Sequence, residues 1–238
     1  MVIRRKGKAW LGLLLAVSFF AILALFCAPL FAGSNGLEQS DQLFNRLAKG
    51  SSYFIPALSS DVRSFEKQGV AISVEMESPA QAKQAMAVLS KAVPGTTVQG
   101  SVLSLNGTLA QMLGAALVDC DAMYLNHGDE LRARYRMDGK EVLAVWFSTL
   151  NTIARKLQEG SVTEIAQSKL ISIVVTKGVE PAFNFYGIQP ENVKHRAGIT
   201  TGLLLFYLIY TVWWGFAIFF MCEAIGLAMT KSRVKREV

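Results

Sequence analysis

Histidine is nearly missing from this chain, with His127 and His195 the only two, and no short signature that positions a catalytic group is present. There is no G-x-S-x-G elbow, H-E-x-x-H helix, phosphate-cradling glycine loop or C-x-x-C pair. Serines that no motif places beside a histidine have no base to activate them. The chain is therefore expected to be non-catalytic, with neither cofactor nor metal.

Cysteine is equally scarce. Cys27 and Cys222 fall in apolar stretches and only Cys120 lies between them, so no disulfide framework is available. Cys120 reads as a small buried hydrophobe.

Charge is the third deficit. Charged residues make up 18% of the chain and hydrophobic ones 52%, a balance that points to membrane segments. The excess apolar residues sit in two runs, "AWLGLLLAVSFFAILALFCAPLFA" near the start and Gly198 to about Met229 near the end. Each exceeds the roughly 20 residues that a helix needs to cross a bilayer.

The net charge of +6 comes from the flanks of those runs, less one for Glu223 inside the second. Arg4, Arg5, Lys6 and Lys8 precede the first, and Lys231, Arg233, Lys235 and Arg236 follow the second, while acids and bases balance between 33 and 197. A neutral middle offers no basic field to phosphate, which argues against nucleic acid as a partner. Basic flanks stay cytoplasmic.

The expected layout is a cytoplasmic tail (1–8), a transmembrane helix serving as signal anchor (9–32), a periplasmic domain (33–197), a second transmembrane helix (198–229) and a cytoplasmic tail (230–238). A cleaved signal peptide is the alternative for the first run. Its apolar core is longer than such peptides carry, and Leu30 is too bulky three places before a cut after Ala32. The layout resembles that of the bacterial polysaccharide co-polymerases in topology only. That family's second span is rich in proline and this one has none, so no residue roles carry over.

Between the runs the pattern predicts an α+β domain with a small sheet, approximately β-α-β-α-β and then helices. "VAISVEM" alternates as a half-buried strand, and "TTVQGSVLSL" reads as a second. Ser78 with Gln81, Thr108 with Gln111, Asp138 with Glu141 and Ser161 with Glu164 have the spacing of helix N-caps. "ELRARYRM" alternates again and is expected to be the third strand, with Arg132, Arg134 and Arg136 on one face as a candidate anion site.

"DCDAMYLNHGDE" is the densest collection of potential ligands. Asp119 and Asp121 are two apart on a helix and diverge, and His127 with Gly128 and Asp129 reads as a helix end rather than a metal loop. His127 stays a weak ligand candidate.

The second apolar run is the most informative region. Thr211, Gly215, Cys222 and Gly226 recur at helical spacing as a stripe of small residues, the kind of face through which membrane helices pack. Glu223 adjoins it. With the span starting near Gly202, Glu223 falls at the cytoplasmic interface; sliding the span to 209–229 buries it.

The leading expectation is an inner-membrane accessory or scaffold subunit of a transporter or respiratory complex, bacterial, partnered by lipid and by another membrane protein or a second copy. A membrane-tethered sensor or small-ligand-binding module is the rival, and a membrane-anchored hydrolase the third.

Overall fold

Residues 5–30 and 33–227 are described in the computed structural model, and helix dominates them. The basic positions Arg4 and 231–236 and the tail 230–238 lie outside the described residues. The chain divides into two compact units, one of residues 1–47 with 191–238 and one of residues 48–190.

The first unit is built on two helices long and apolar enough, by length and composition, to cross a membrane: α1 (Lys6–Cys27) and α10 (Val193–Ala224). Only 6% of the most apolar window of each is buried, so neither is the core helix of a globular fold. They pack on each other. Gly12 sets the closest approach, since a Cβ there would stand 2.9 Å from Met221 Cγ and 3.2 Å from the Ala217 carbonyl oxygen. Ala217 and Ala224 are the buried residues of α10.

Farther along, aromatic rings stack across the pair. Phe19 lies 4.0 Å from Tyr210 and 4.8 Å from Trp214 between ring centres, and Phe26 lies 5.5 Å from Phe206. The Tyr210 hydroxyl donates to the Phe19 carbonyl at 2.9 Å. The start of α2 (Gly36–Ser51) fits beside Phe26 because Gly36 has no side chain; a Cβ would come within 2.7 Å of that ring.

In the second unit, α3 (Ile55–Arg63) precedes a three-stranded antiparallel sheet of β1 (Gly69–Glu75), β2 (Thr97–Gln99) and β3 (Val102–Thr108) in the order β1-β3-β2. Val74 faces Leu103 and Ile72 faces Leu105 across the ladder, so one sheet face is apolar. Ser73 and Ser104, paired on the other face, share a hydroxyl hydrogen bond of 2.8 Å. The expected single strand "TTVQGSVLSL" is instead a hairpin. Gly100, with φ of 62°, takes the left-handed turn that separates β2 from β3.

The helices follow their caps. Ser78 accepts from the Gln81 N–H at the start of α4 (Pro79–Leu89). Reciprocal capping boxes open α5 (Leu109–Tyr124) at Thr108 and α8 (Val162–Val174) at Ser161. Asp138 caps α7 (Gly139–Leu157) through the Lys140 N–H, with Glu141 bound instead by the Gln84 amide.

A second expectation is overturned. "ELRARYRM" is not a strand; it lies in helix α6 (Gly128–Tyr135) and its left-handed cap at Arg136. Leu131 is fully buried and Tyr135, four residues on, packs against the same core, so the apolar spacing is helical. Asp129 and Glu130 in the first turn suit the positive end of that helix. The fold order is thus β-α-β-β-α followed by helices.

After α8 the chain widens into one π turn, Val175–Val179, before α9 (Glu180–Asn184). Pro181 has no N–H to return to an α-helical register, which accounts for the wider turn there.

Candidate functional site

Glu223 in the first unit, and Asp119 and Lys49 in the second, each centre a polar cluster. In the helix pair, Glu223 is clasped by the beginning of α1. Arg5 Nη1 lies 3.2 Å from Glu223 Oε1 and Lys8 Nζ lies 3.1 Å from Oε2, the latter an ion contact without hydrogen-bond alignment. The Arg5 N–H also donates to the Ala224 carbonyl at 3.3 Å, and Lys8 stands 4.8 Å above the Phe220 ring. Both of these partners of the acid belong to the start of the opposite helix.

The small-residue stripe beside it is turned away from α1. Thr211, Gly215 and Gly226 are exposed, Cys222 is half-buried, and a Cβ on Gly215 would meet nothing within 4 Å. Gly226, with φ of 89°, follows the helix end and its N–H returns to the Glu223 carbonyl.

In the second unit, Asp119 is fully buried on α5. It accepts from Trp146 Nε1 at 2.8 Å, from the Tyr135 hydroxyl at 2.7 Å and from Arg134. Burial pushes its carboxyl above the usual range, while the donors of Trp146, Tyr135 and Arg134 pull against that. Burial, and then the bond to Asp119, raise the Tyr135 phenol, so it stays protonated as a donor. The neighbouring Cys120 thiol is pushed up by burial, as suits a packed, unreactive side chain.

Lys49 forms the other centre, with 1% of its surface exposed. Its ammonium donates to Asn126 Oδ1 at 3.0 Å and to the carbonyls of Phe185 at 3.0 Å and Ile188 at 2.6 Å. All three donors thus meet neutral oxygens, and burial lowers its pKa. Asn126, held at φ of 67°, closes α5, with the His127 N–H returning to Ala122 at 2.7 Å. Lys49 therefore ties the end of α2 to the end of α5 and to the segment after α9.

The sequence-predicted ligands do not come together. Arg132 pairs with Asp138 at 3.1 Å, Arg134 turns inward to Asp119, and Arg136 caps α6. His127 Nδ1 sits 3.5 Å from Glu130, and Asp121 accepts from Tyr53 at 2.7 Å. Among the described residues no three of His, Cys, Asp and Glu converge. Sequence reasoning missed Lys49, which nothing in its neighbourhood of α2 sets apart from a surface lysine.

An apolar groove of about 320 Å³ crosses the second unit between α7 and α9, walled by Leu143, Phe147, Val179 and Phe183, with Lys140 over the Phe183 ring at 5.2 Å. Compared with protein-family models, curated proteins and solved structures, the chain matches none.

Proposed function

We propose that this chain is an integral protein of the bacterial inner membrane, with both termini cytoplasmic and the α+β unit periplasmic. It acts there as a non-catalytic accessory or scaffold subunit of a membrane complex, of transporter or respiratory type.

The clasp of Glu223 by Arg5 and Lys8 carries this reading. It brings charges of both helices together at one end of the described pair, on the side where the sequence places its basic tails. A lone charged acid within a bilayer costs about 2.5–3.5 kcal/mol, which two cations at the boundary offset. With 22 residues, α1 is about 33 Å long, against roughly 30 Å of hydrocarbon. At 32 residues α10 is longer, about 48 Å, so its polar first turns extend beyond the hydrocarbon. The extensive packing of α1 on α10 supports a retained anchor over a cleaved leader.

Two features support a scaffold. Asp119 and Lys49 spend their bonding capacity inside the fold. Thr211 and Gly215 are exposed on α10, and they leave a small-residue face of that helix for a partner's helix or a second copy.

Gentle detergent extraction of the tagged full chain should recover a stoichiometric membrane partner or a second copy, and Gly215→Leu should weaken the recovery. A chain released from membranes by alkaline carbonate would refute membrane integration; a monomer with no partner would refute the scaffold role alone. The apolar groove at Phe147 and Phe183 favours the second reading, a module for a small apolar ligand. Ligand-dependent thermal stabilisation of the full chain would then replace partner recovery as the positive result.

A further inference from the structure

The first unit holds two adjoining cavities that share the side chains of Phe26, Ser40 and Leu203 as walls. One, of about 220 Å³, is lined almost wholly by apolar and aromatic groups, among them Ile22, Leu37, Phe44 and Phe206. The other, of about 310 Å³, is polar on one side, where Arg46 and Arg196 meet Glu191.

That polar wall has a charge imbalance. Arg46 Nη1 lies 3.4 Å from Glu191 Oε1, and Arg196 reaches the same carboxylate through Nε at 2.8 Å and Nη2 at 3.3 Å. Arg196, and then Arg46, hold the Glu191 carboxyl below its ordinary range, so it stays ionised. Two guanidiniums against one carboxylate leave a charge of +1. Each guanidinium has five N–H donors, and Glu191 engages one from Arg46 and two from Arg196. The side chains of both arginines are nearly half exposed, so the remaining donors are accessible.

We infer that these cavities form a binding site for one anionic phospholipid, its phosphate against Arg46 and Arg196 and an acyl chain in the crevice beside Phe26, Leu203 and Phe206. The charge matches: a phosphodiester supplies the single negative charge that the Arg46–Glu191–Arg196 cluster lacks, and planar guanidinium forks suit phosphate oxygens. The position matches as well, with the arginines beyond the apolar part of α10 and the crevice along it. The inference rests on the membrane reading, since an acyl chain reaches the crevice only from a bilayer.

Native mass spectrometry of the full chain in mild detergent, with added phosphatidylglycerol or phosphatidylcholine, tests the site. The wild type should retain one phosphatidylglycerol in preference to phosphatidylcholine. Arg46→Gln and Arg196→Gln should each cut that preference about fivefold, the contribution of one basic side chain at an anionic surface. Glu191→Gln should raise it, an outcome that misfolding cannot imitate. Leu203→Trp, which fills the shared wall, should reduce retention of both lipids, and Arg132→Gln in the other unit should change neither. Equal retention of the two lipids by the wild type overturns the site, as does displacement of phosphatidylglycerol by inorganic phosphate alone. A chain that purifies without detergent overturns the membrane reading instead.

Discussion

Glu223 in the helix pair and Asp119 in the α+β unit are both carboxylates held by basic side chains, yet their surroundings differ. The Glu223 side chain keeps 19% of its surface exposed, and its partners Arg5 and Lys8 keep 64% and 40%. Asp119 keeps none, and two of its three partners, Trp146 and Tyr135, are neutral. An open ion pair is screened by salt and contributes little in water, whereas a buried carboxylate is tolerated only when its lone pairs are filled. The Glu223 clasp thus sets the level at which two helices meet, while Asp119 specifies how α5, α6 and α7 pack.

The largest expected effect comes from removing Asp119. Asp119→Ala strands the indole, phenol and guanidinium donors around it and should cost about 3–5 kcal/mol, read as a fall in the urea midpoint of the second unit's tryptophan signal. A loss below about 1 kcal/mol would erase the contrast with Glu223.

Next comes the helix contact. Gly12→Leu drives a side chain into Met221 and the Ala217 backbone, and should destabilise the pair by about 1–3 kcal/mol in mixed-micelle SDS unfolding. Gly215→Leu, with nothing within 4 Å, should leave that intramolecular unfolding unchanged.

Glu223→Gln should cost no more than about 1 kcal/mol in the same assay, and less as salt is raised.

The smallest effect concerns Tyr53, whose pKa the hydrogen bond to Asp121 raises to about 12. Because the folded value exceeds the ordinary 10.0, its stabilisation is complete below pH 10 and is lost as pH climbs toward 12. Tyr53→Phe should flatten that part of the pH–stability curve relative to wild type; an identical slope would show that the bond contributes nothing.

The two regions also differ in how legible they are. Both apolar helices can be read directly, because a run of about 20 apolar residues matches the thickness of a bilayer and outlasts the apolar stretch of an ordinary amphipathic helix. The caps at Ser78, Thr108, Asp138 and Ser161 are equally readable, since capping is settled within four residues of chain. Strand β1 shows its alternation at Val70, Ile72 and Val74. "ELRARYRM" misleads because alternation and helical spacing coincide over so short a run, and only the core around Leu131 and Tyr135 chooses between them. The break at Gly100 is visible as a glycine, but a lone glycine inside a strand pattern does not announce a hairpin.

Among candidate site residues, the arginines at 132, 134 and 136 are grouped by a strand period that the chain does not follow, and three different partners separate them. Glu223 stands out in the sequence as an oddity, but its clasp needs α1 folded back antiparallel along α10, a contact between residues more than 200 apart. Lys49 is the clearest case of what local pattern omits. Two of its three acceptors are the carbonyls of Phe185 and Ile188, and every residue carries a carbonyl.

By itself, then, the sequence determined the apolar helices, the helix starts and the charge asymmetry of the flanks, because each follows from hydrophobicity, capping or charge within a few turns of chain. Tertiary structure decided which carboxylate is buried, which lysine loses its water, which face of α10 meets α1 and how Arg46, Glu191 and Arg196 come together. Those outcomes depend on where distant backbone and side-chain groups come to lie in space, which no local window of sequence contains.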